Sequence, residues 1–293
     1  AIGFGSMFLN TTGINNTAIG TETLKANTTG VNNTAIGLQA LRLNTIGENN
    51  TAIGTCAMYA NTTGKYNVAI GTCSLCNNTI GGCNVVLGHH ALRANTTAVR
   101  NVSVGYRSLC DNTIGAHNVA IGGDALGSNI SGNFNTAIGD CSMLTNTTGF
   151  GNVAVGRQSL CKNTTGVNNV AIGVSALVCN VTGQGNVAVG CAALFCNEVN
   201  SNTAVGMRAL CKNTVGTENV AVGNSALRAS TTGSYNTAVG AISLFNNTIG
   251  QHNVAVGFES LKANTTGCYN VGVGYQSLCN NTTGINNTAV GYS

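Results

Sequence analysis

Apolar residues recur along this chain two apart rather than three or four apart. In segments such as Asn16-Thr17-Ala18-Ile19-Gly20 and Asn67-Val68-Ala69-Ile70-Gly71, a β-branched residue stands on each side of a small one. That is the spacing of a strand, and no 3.6-residue apolar period accompanies it. The segment predicts a short strand closed by glycine.

The same segment returns at a fixed interval. Its Ala-Ile-Gly triplet, or a close variant, starts at Ala18, Ala35, Ala52 and Ala69 and continues every 17 residues to Ala289, with one 16-residue step from Ala188 to Ala204. With the first residue of the triplet as position 1, the unit reads (A/V)-(I/V)-G-x-x-(A/S)-L-x-x-N-T-T-G-x-x-N-(T/V). A unit this short is too small for helix-pair repeats, and its pattern differs from that of leucine-rich repeats. It predicts an all-β protein: a parallel β-solenoid (β-roll or β-helix) of about 17 coils with a 17-residue repeat, one continuous domain over residues 1–293. The alternation places position 17 (Thr17, Val68) and position 2 (Ile19, Ile36, Ile53, Ile70) on the core face. Leu or Met at position 7 forms the opposite wall, as at Leu24 and Met58, and position 6 is small. Position 1 is then expected to point away from the core and make a smooth outer strip. Glycine columns at positions 3 and 13 mark corners that need positive φ or close approach. The 16-residue unit should tighten a turn near Asn197-Glu198-Val199-Asn200 while its core column stays in step.

Two columns of asparagine run through the repeat. Position 16 is always Asn (Asn16, Asn33, Asn50, Asn67), and position 10 is Asn except at Ser230. N-glycosylation and a stacked amide ladder compete as explanations. Asn44-Thr45-Ile46, Asn112-Thr113-Ile114 and Asn213-Thr214-Val215 keep the Asn and lose the acceptor motif, which favours the ladder. Better glycan acceptors lie at variable positions: Asn15, Asn32, Asn49, Asn77, Asn246, Asn280 and Asn286.

Composition narrows the function classes. Charged residues make up 7 % of the 293, the net charge is +4, glycine numbers 40 and proline is absent. No Lys/Arg run tracks phosphates, so nucleic acid is not an expected partner. No apolar stretch has the length of a membrane helix, and membrane insertion is not expected. The chain opens and closes in mid-pattern and is read as a mature chain or a piece of a longer one.

Thirteen cysteines point to an oxidising, extracellular setting. Cys56 and Cys73 share a column in adjacent coils, within disulfide reach. Cys161, Cys179, Cys196 and Cys211 lie at positions 8, 9, 9 and 8 of four consecutive coils. They allow 161–179 with 196–211, or 179–196 alone. Cys110 and Cys141 lack an in-register partner and are candidates for bonds between chains. Cys73-Ser74-Leu75-Cys76 is a C-x-x-C, but inside a coil it fits neither a thioredoxin-like redox turn nor a zinc site lacking a second ligand pair. The only aspartates are Asp111, Asp124 and Asp140. Asp124 and Asp140 fall in neighbouring coils beside Arg157 and read as a surface charge ladder rather than a sugar-cleaving carboxylate pair. No catalytic, cofactor or metal site is expected, and the chain is not read as an enzyme.

The unit around Asn16-Thr17-Ala18-Ile19-Gly20 and Asn169-Val170-Ala171-Ile172-Gly173 resembles the head repeat of trimeric autotransporter adhesins and related phage and virus fibre repeats. The unit here is longer and carries cysteine. The resemblance implies a parallel β-roll, often trimeric, used in surface attachment. The leading functional reading is a structural component of an extracellular fibre or surface filament, partnered by copies of itself. An adhesin or receptor-binding fibre that meets surface glycans or a receptor is the alternative. An ice-binding solenoid presenting the position-11 threonines (Thr28, Thr62, Thr96, Thr265) is a minor one. The expected location is extracellular, or the surface of a cell or virion.

Overall fold

A computed structural model describes residues 1–292 and shows a parallel β-solenoid without helices. Two compact units make up the chain, Ala1–Thr148 and Gly149–Ser293. The first carries eight three-residue strands, from β1 (Thr17–Ile19) to β8 (Thr136–Ile138). The second carries nine, from β9 (Val153–Val155) to β17 (Thr288–Val290). Within each unit, successive strands pair in parallel and in strict register, so Ile36, Ile53 and Ile70 stack in one column. Among the described residues no helix is long and apolar enough to cross a membrane.

The core is the reverse of the one the alternation suggested. Position 1 is buried, with Ala35, Ala52, Ala171 and Ala255 at 0 % exposure. Positions 17 and 2 point outward, with Ile19 40 % and Ile138 37 % exposed. Period-2 spacing separates the two faces of a strand but cannot say which faces inward. Coil width decides it. An interior coil encloses its position-1 residue, its Leu or Met at position 7, the small position-6 residue and, except at Ser230, two asparagines, all buried. Opposite that leucine the column holds alanine in most coils, with Ser103, Gly272 and, as its largest member, the fully buried Val86 as the exceptions. The expected outer strip of alanines does not exist.

So narrow a coil forces unusual backbone. Positions 5, 7 and 15 have positive φ in coil after coil, including Leu41 (φ 51) and Leu75 (φ 50). This region costs a non-glycine residue roughly 1–2 kcal/mol, and full burial of the leucine, worth about 1.5–3 kcal/mol, offsets it. At position 3, Gly54 has φ 133, and a Cβ there would stand 2.6 Å from the Gly71 oxygen of the next coil. Glycine at position 13 has a different cause. Gly30 has ordinary φ, but a Cβ there would collide with Asn27 Oδ1 and Gly47 O.

The 16-residue unit keeps step. Val187, Ala188 and Val189 pair with Thr203, Ala204 and Val205, and Leu210 remains fully buried. The omitted residue is position 12. Val199 takes the place of the corner glycine, and its carbonyl accepts from Asn186 at 2.7 Å and Asn197 at 2.8 Å.

Candidate interaction surface

The outward strand face is the most regular surface of the molecule. Positions 17 and 2 hold only Thr, Val, Ile and one Leu (Leu87) throughout the chain, with no charge and no amide. Within each unit they form two parallel ranks on a sheet whose strands are about 4.8 Å apart. The face stays in place because the alanine between the ranks is locked into the core and the register never slips.

Behind it run the asparagine ladders. In the position-10 column, Asn27 Nδ2 donates to Asn10 Oδ1 at 2.8 Å and to Gly30 O in its own coil at 3.0 Å. In the position-16 column, Asn50 donates through backbone N and Nδ2 to Asn33 Oδ1, at 3.1 and 3.2 Å, and through Nδ2 to Gly64 O at 2.8 Å. Both columns therefore converge on the position-13 carbonyl, which explains the glycine there. Asn16, Asn33, Asn50 and Asn67 all belong to this network. Two coils interrupt the position-10 column. In the short coil Asn197 turns to Val199 O and leaves Asn180 Oδ1 buried without a partner; at Ser230 the missing amide leaves Asn213 Oδ1 and Ser230 Oγ in the same state.

The variable asparagines are placed otherwise. Asn15, Asn32, Asn77, Asn246, Asn280 and Asn286 are exposed and Asn49 is half-buried. Asn15, Asn32, Asn49 and Asn286 occupy position 15 with φ of 56–58, a conformation Asn tolerates better than most residues. The backbone favours asparagine there without requiring it, since Tyr66, Arg100 and Phe134 hold the same conformation in other coils. Asn15, Asn32 and Asn49 also form a short outer ladder, with amide contacts of 3.2 and 3.3 Å.

At position 11 the threonine hydroxyls bond from coil to coil along the stack. Thr28 Oγ1 donates to Thr45 O at 3.1 Å and Thr62 Oγ1 to Thr79 O at 3.0 Å. Their protons are committed within the protein. That observation weighs against this rank as an ice-binding array.

Cys56, Cys73 and Cys76 form one cluster of thiols, each near enough to the others to act on them electrostatically. Burial, then the neighbouring thiols, pushes Cys76 up to about 11. In the second unit Cys196 contacts Cys179, and Cys211 lies near; burial is the first cause raising both Cys196 and Cys211. Cys110 is buried, so it is not presented for a bond to another chain. Cys83 and Cys191 are the exposed cysteines.

Five of the carboxylates, Glu22, Glu48, Asp111, Asp124 and Glu259, serve surface ion pairs. Asp124 faces Arg107 at 3.6 Å and Asp111 faces Arg93 at 3.8 Å. Glu22 is the most tightly held: hydrogen bonds from Lys25 and Gln39, then Arg42, draw it down to about 2. Among the described residues no group of three or more His, Cys, Asp or Glu is placed to hold a metal.

Reading the motifs singly missed the stacked rings. At position 15 Tyr235, His252 and Tyr269 stack with centroids 4.8 Å apart, and at position 4 Phe258, Tyr275 and Tyr292 do so at 5.5 and 5.0 Å. The signal was present as aromatic residues recurring at one position of consecutive units. Fold and surface together define a parallel β-solenoid with a repeating, uncharged strand face. Comparison with protein-family models and with curated proteins finds no match.

Proposed function

We propose that the chain is a structural component of an extracellular fibre or surface filament, in which copies pack side by side through their outward strand faces. The observation that carries this reading is the two-rank face of Thr, Val and Ile, uncharged over every coil. An apolar strip of that regularity is costly to leave in water. Burying it coil by coil requires a partner with the same axial period, and another copy of the chain has it. Its location, on this reading, is outside the cell or on the surface of a cell or virion. Negative-stain microscopy and light scattering test the proposal with the Ile53→Lys/Ile138→Lys variant. Wild-type chain should associate laterally; the variant should stay dispersed while keeping its β-sheet circular dichroism. Monomeric wild-type chain at high concentration would overturn it.

A second reading, a receptor-binding or adhesive fibre, is favoured by the exposed aromatic columns of the second unit. A glycan and cell-binding screen of wild type against Tyr235→Ser/Tyr269→Ser separates the two. Loss of binding supports adhesion, and absence of binding leaves the structural role alone.

A further inference from the structure

We infer that the fold is incompatible with N-glycosylation of its buried acceptor motifs, so this chain folds where no oligosaccharide transferase reaches it unfolded. The inference does not rest on the fibre reading. It comes from the placement of the acceptor motifs.

Two kinds of Asn-x-Ser/Thr motif share the chain. One kind has its asparagine outside, as at Asn77-Asn78-Thr79 and Asn246-Asn247-Thr248, where a glycan would project into solvent. The other has it fully buried in the ladders: Asn27-Thr28-Thr29, Asn61-Thr62-Thr63, Asn95-Thr96-Thr97, Asn129-Ile130-Ser131, Asn180-Val181-Thr182 and Asn264-Thr265-Thr266 each begin with an asparagine at 0 % exposure.

Glycosyl transfer would consume the atom the ladder uses. The Asn Nδ2 forms a bond to C1 of a lipid-pyrophosphate-linked oligosaccharide. The bond from C1 to the pyrophosphate oxygen breaks, the lipid pyrophosphate leaves with the electron pair, and Nδ2 gives up one proton. In the fold both Nδ2 hydrogens are occupied. Asn61 donates to Asn44 Oδ1 at 2.8 Å and to Gly64 O at 3.1 Å, and Asn264 to Asn247 Oδ1 at 2.9 Å and Gly267 O at 3.0 Å. A sugar on either nitrogen would have to sit between coils one strand spacing apart. One such glycan removes a ladder bond and separates two coils, and in a one-dimensional stack that break also costs the neighbours their interface.

In the unfolded chain the two kinds of motif are chemically alike, so a transferase acting on it cannot spare the buried ones. The protein itself shows that the hydroxyl of the motif is dispensable. Ile46, Ile80, Ile114 and Ile249 stand at position 12, where other coils have Thr, and their coils keep the ladder. Nothing in the fold therefore demands so many acceptor motifs, and a chain that passed unfolded through a glycosylating compartment could not carry them.

The experiment expresses the full chain in one eukaryotic cell by two routes, with and without a secretory leader. Site occupancy is read by mass spectrometry and folding by resistance to protease. The cytosolic product should be unmodified and resistant. The secretory product should be occupied at Asn27, Asn61 or Asn264 and protease-sensitive. A third chain follows the secretory route with the hydroxyl residue of every buried motif replaced: Thr29→Ile, Thr63→Ile, Thr97→Ile and their counterparts, with Ser103→Ala for the further buried motif Asn101-Val102-Ser103. It should regain resistance. The inference is overturned if the secretory product folds with those asparagines occupied, or if it folds with them empty because folding outruns transfer. It is equally overturned if the third chain is unmodified there and still sensitive.

Discussion

Asn33 donates to Asn16 Oδ1 twice, from its backbone nitrogen at 2.9 Å and from Nδ2 at 3.2 Å. One side-chain oxygen thus holds the next coil by main chain and side chain together. Repeated at the following coils, this makes the asparagines as much a part of the core as the leucines.

Removing one such oxygen should therefore be costly. Asn67 Oδ1 accepts from Asn84 N and Nδ2, at 3.0 and 3.1 Å. Asn67→Ala leaves the Asn84 N–H buried without that acceptor, and should lower stability by about 2–4 kcal/mol once the vacated volume is included. Asn77→Ala, on the surface, should change it by no more than about 0.5 kcal/mol. Denaturant melts of the two variants compare them directly.

Completing the ladder should do the opposite. Ser230→Asn supplies a donor for Asn213 Oδ1, which is now buried without one. Relief of an orphaned acceptor is worth about 1–3 kcal/mol. A rise in melting temperature is expected, and a fall would show that the column at Ser230 has no room for an amide.

The inward alanine can be tested against its outward neighbour. Ala120 is fully buried and Ile121 is 38 % exposed. Ala120→Leu overfills the coil and should cost at least about 1–3 kcal/mol. Ile121→Thr should stay within about 0.5 kcal/mol. The opposite order in thermal melts would restore the core face that alternation alone suggests.

Thiol reactivity should follow exposure and charge. Iodoacetamide should modify exposed Cys83 and Cys191 first and Cys110 and Cys76 last, since Cys110 is buried, burial pushes Cys76 to about 11, and the thiolate is the nucleophile. Treatment with oxidised glutathione should join Cys56 to Cys73, faster as pH rises, and stabilise the chain by about 2–4 kcal/mol. Peptide mapping that finds Cys73 bonded to Cys76 instead would refute this pairing.

Acid should loosen the first unit through Glu22. Its carboxyl lies at about 2 in the fold against an ordinary 4.5, held down by Lys25, Gln39 and Arg42. A depressed acid contributes stability above its unfolded value and loses it as pH falls toward the folded one. The wild-type melting temperature should thus drop between pH 4.5 and 2 by more than that of Glu22→Gln. Equal drops would show that other groups carry the acid sensitivity.

The amino-acid sequence by itself determined the period, the parallel register, the place of Leu at position 7 and the ladder role of Asn16, Asn33, Asn50 and Asn67. Each follows from recurrence, since stacked identical coils bring like residues together whatever the shape of the coil. It also located the 16-residue coil and left its register intact. Tertiary structure alone decided which strand face is inside. Ala18 and Ile19 alternate identically under either choice, and only the width of the closed coil, too narrow for Ile opposite Leu, turns alanine inward and leaves the β-branched ranks on the surface. It also decided which asparagines are sealed. Asn61 and Asn77 both begin acceptor motifs, yet only the fold places the first between two coils and the second in water.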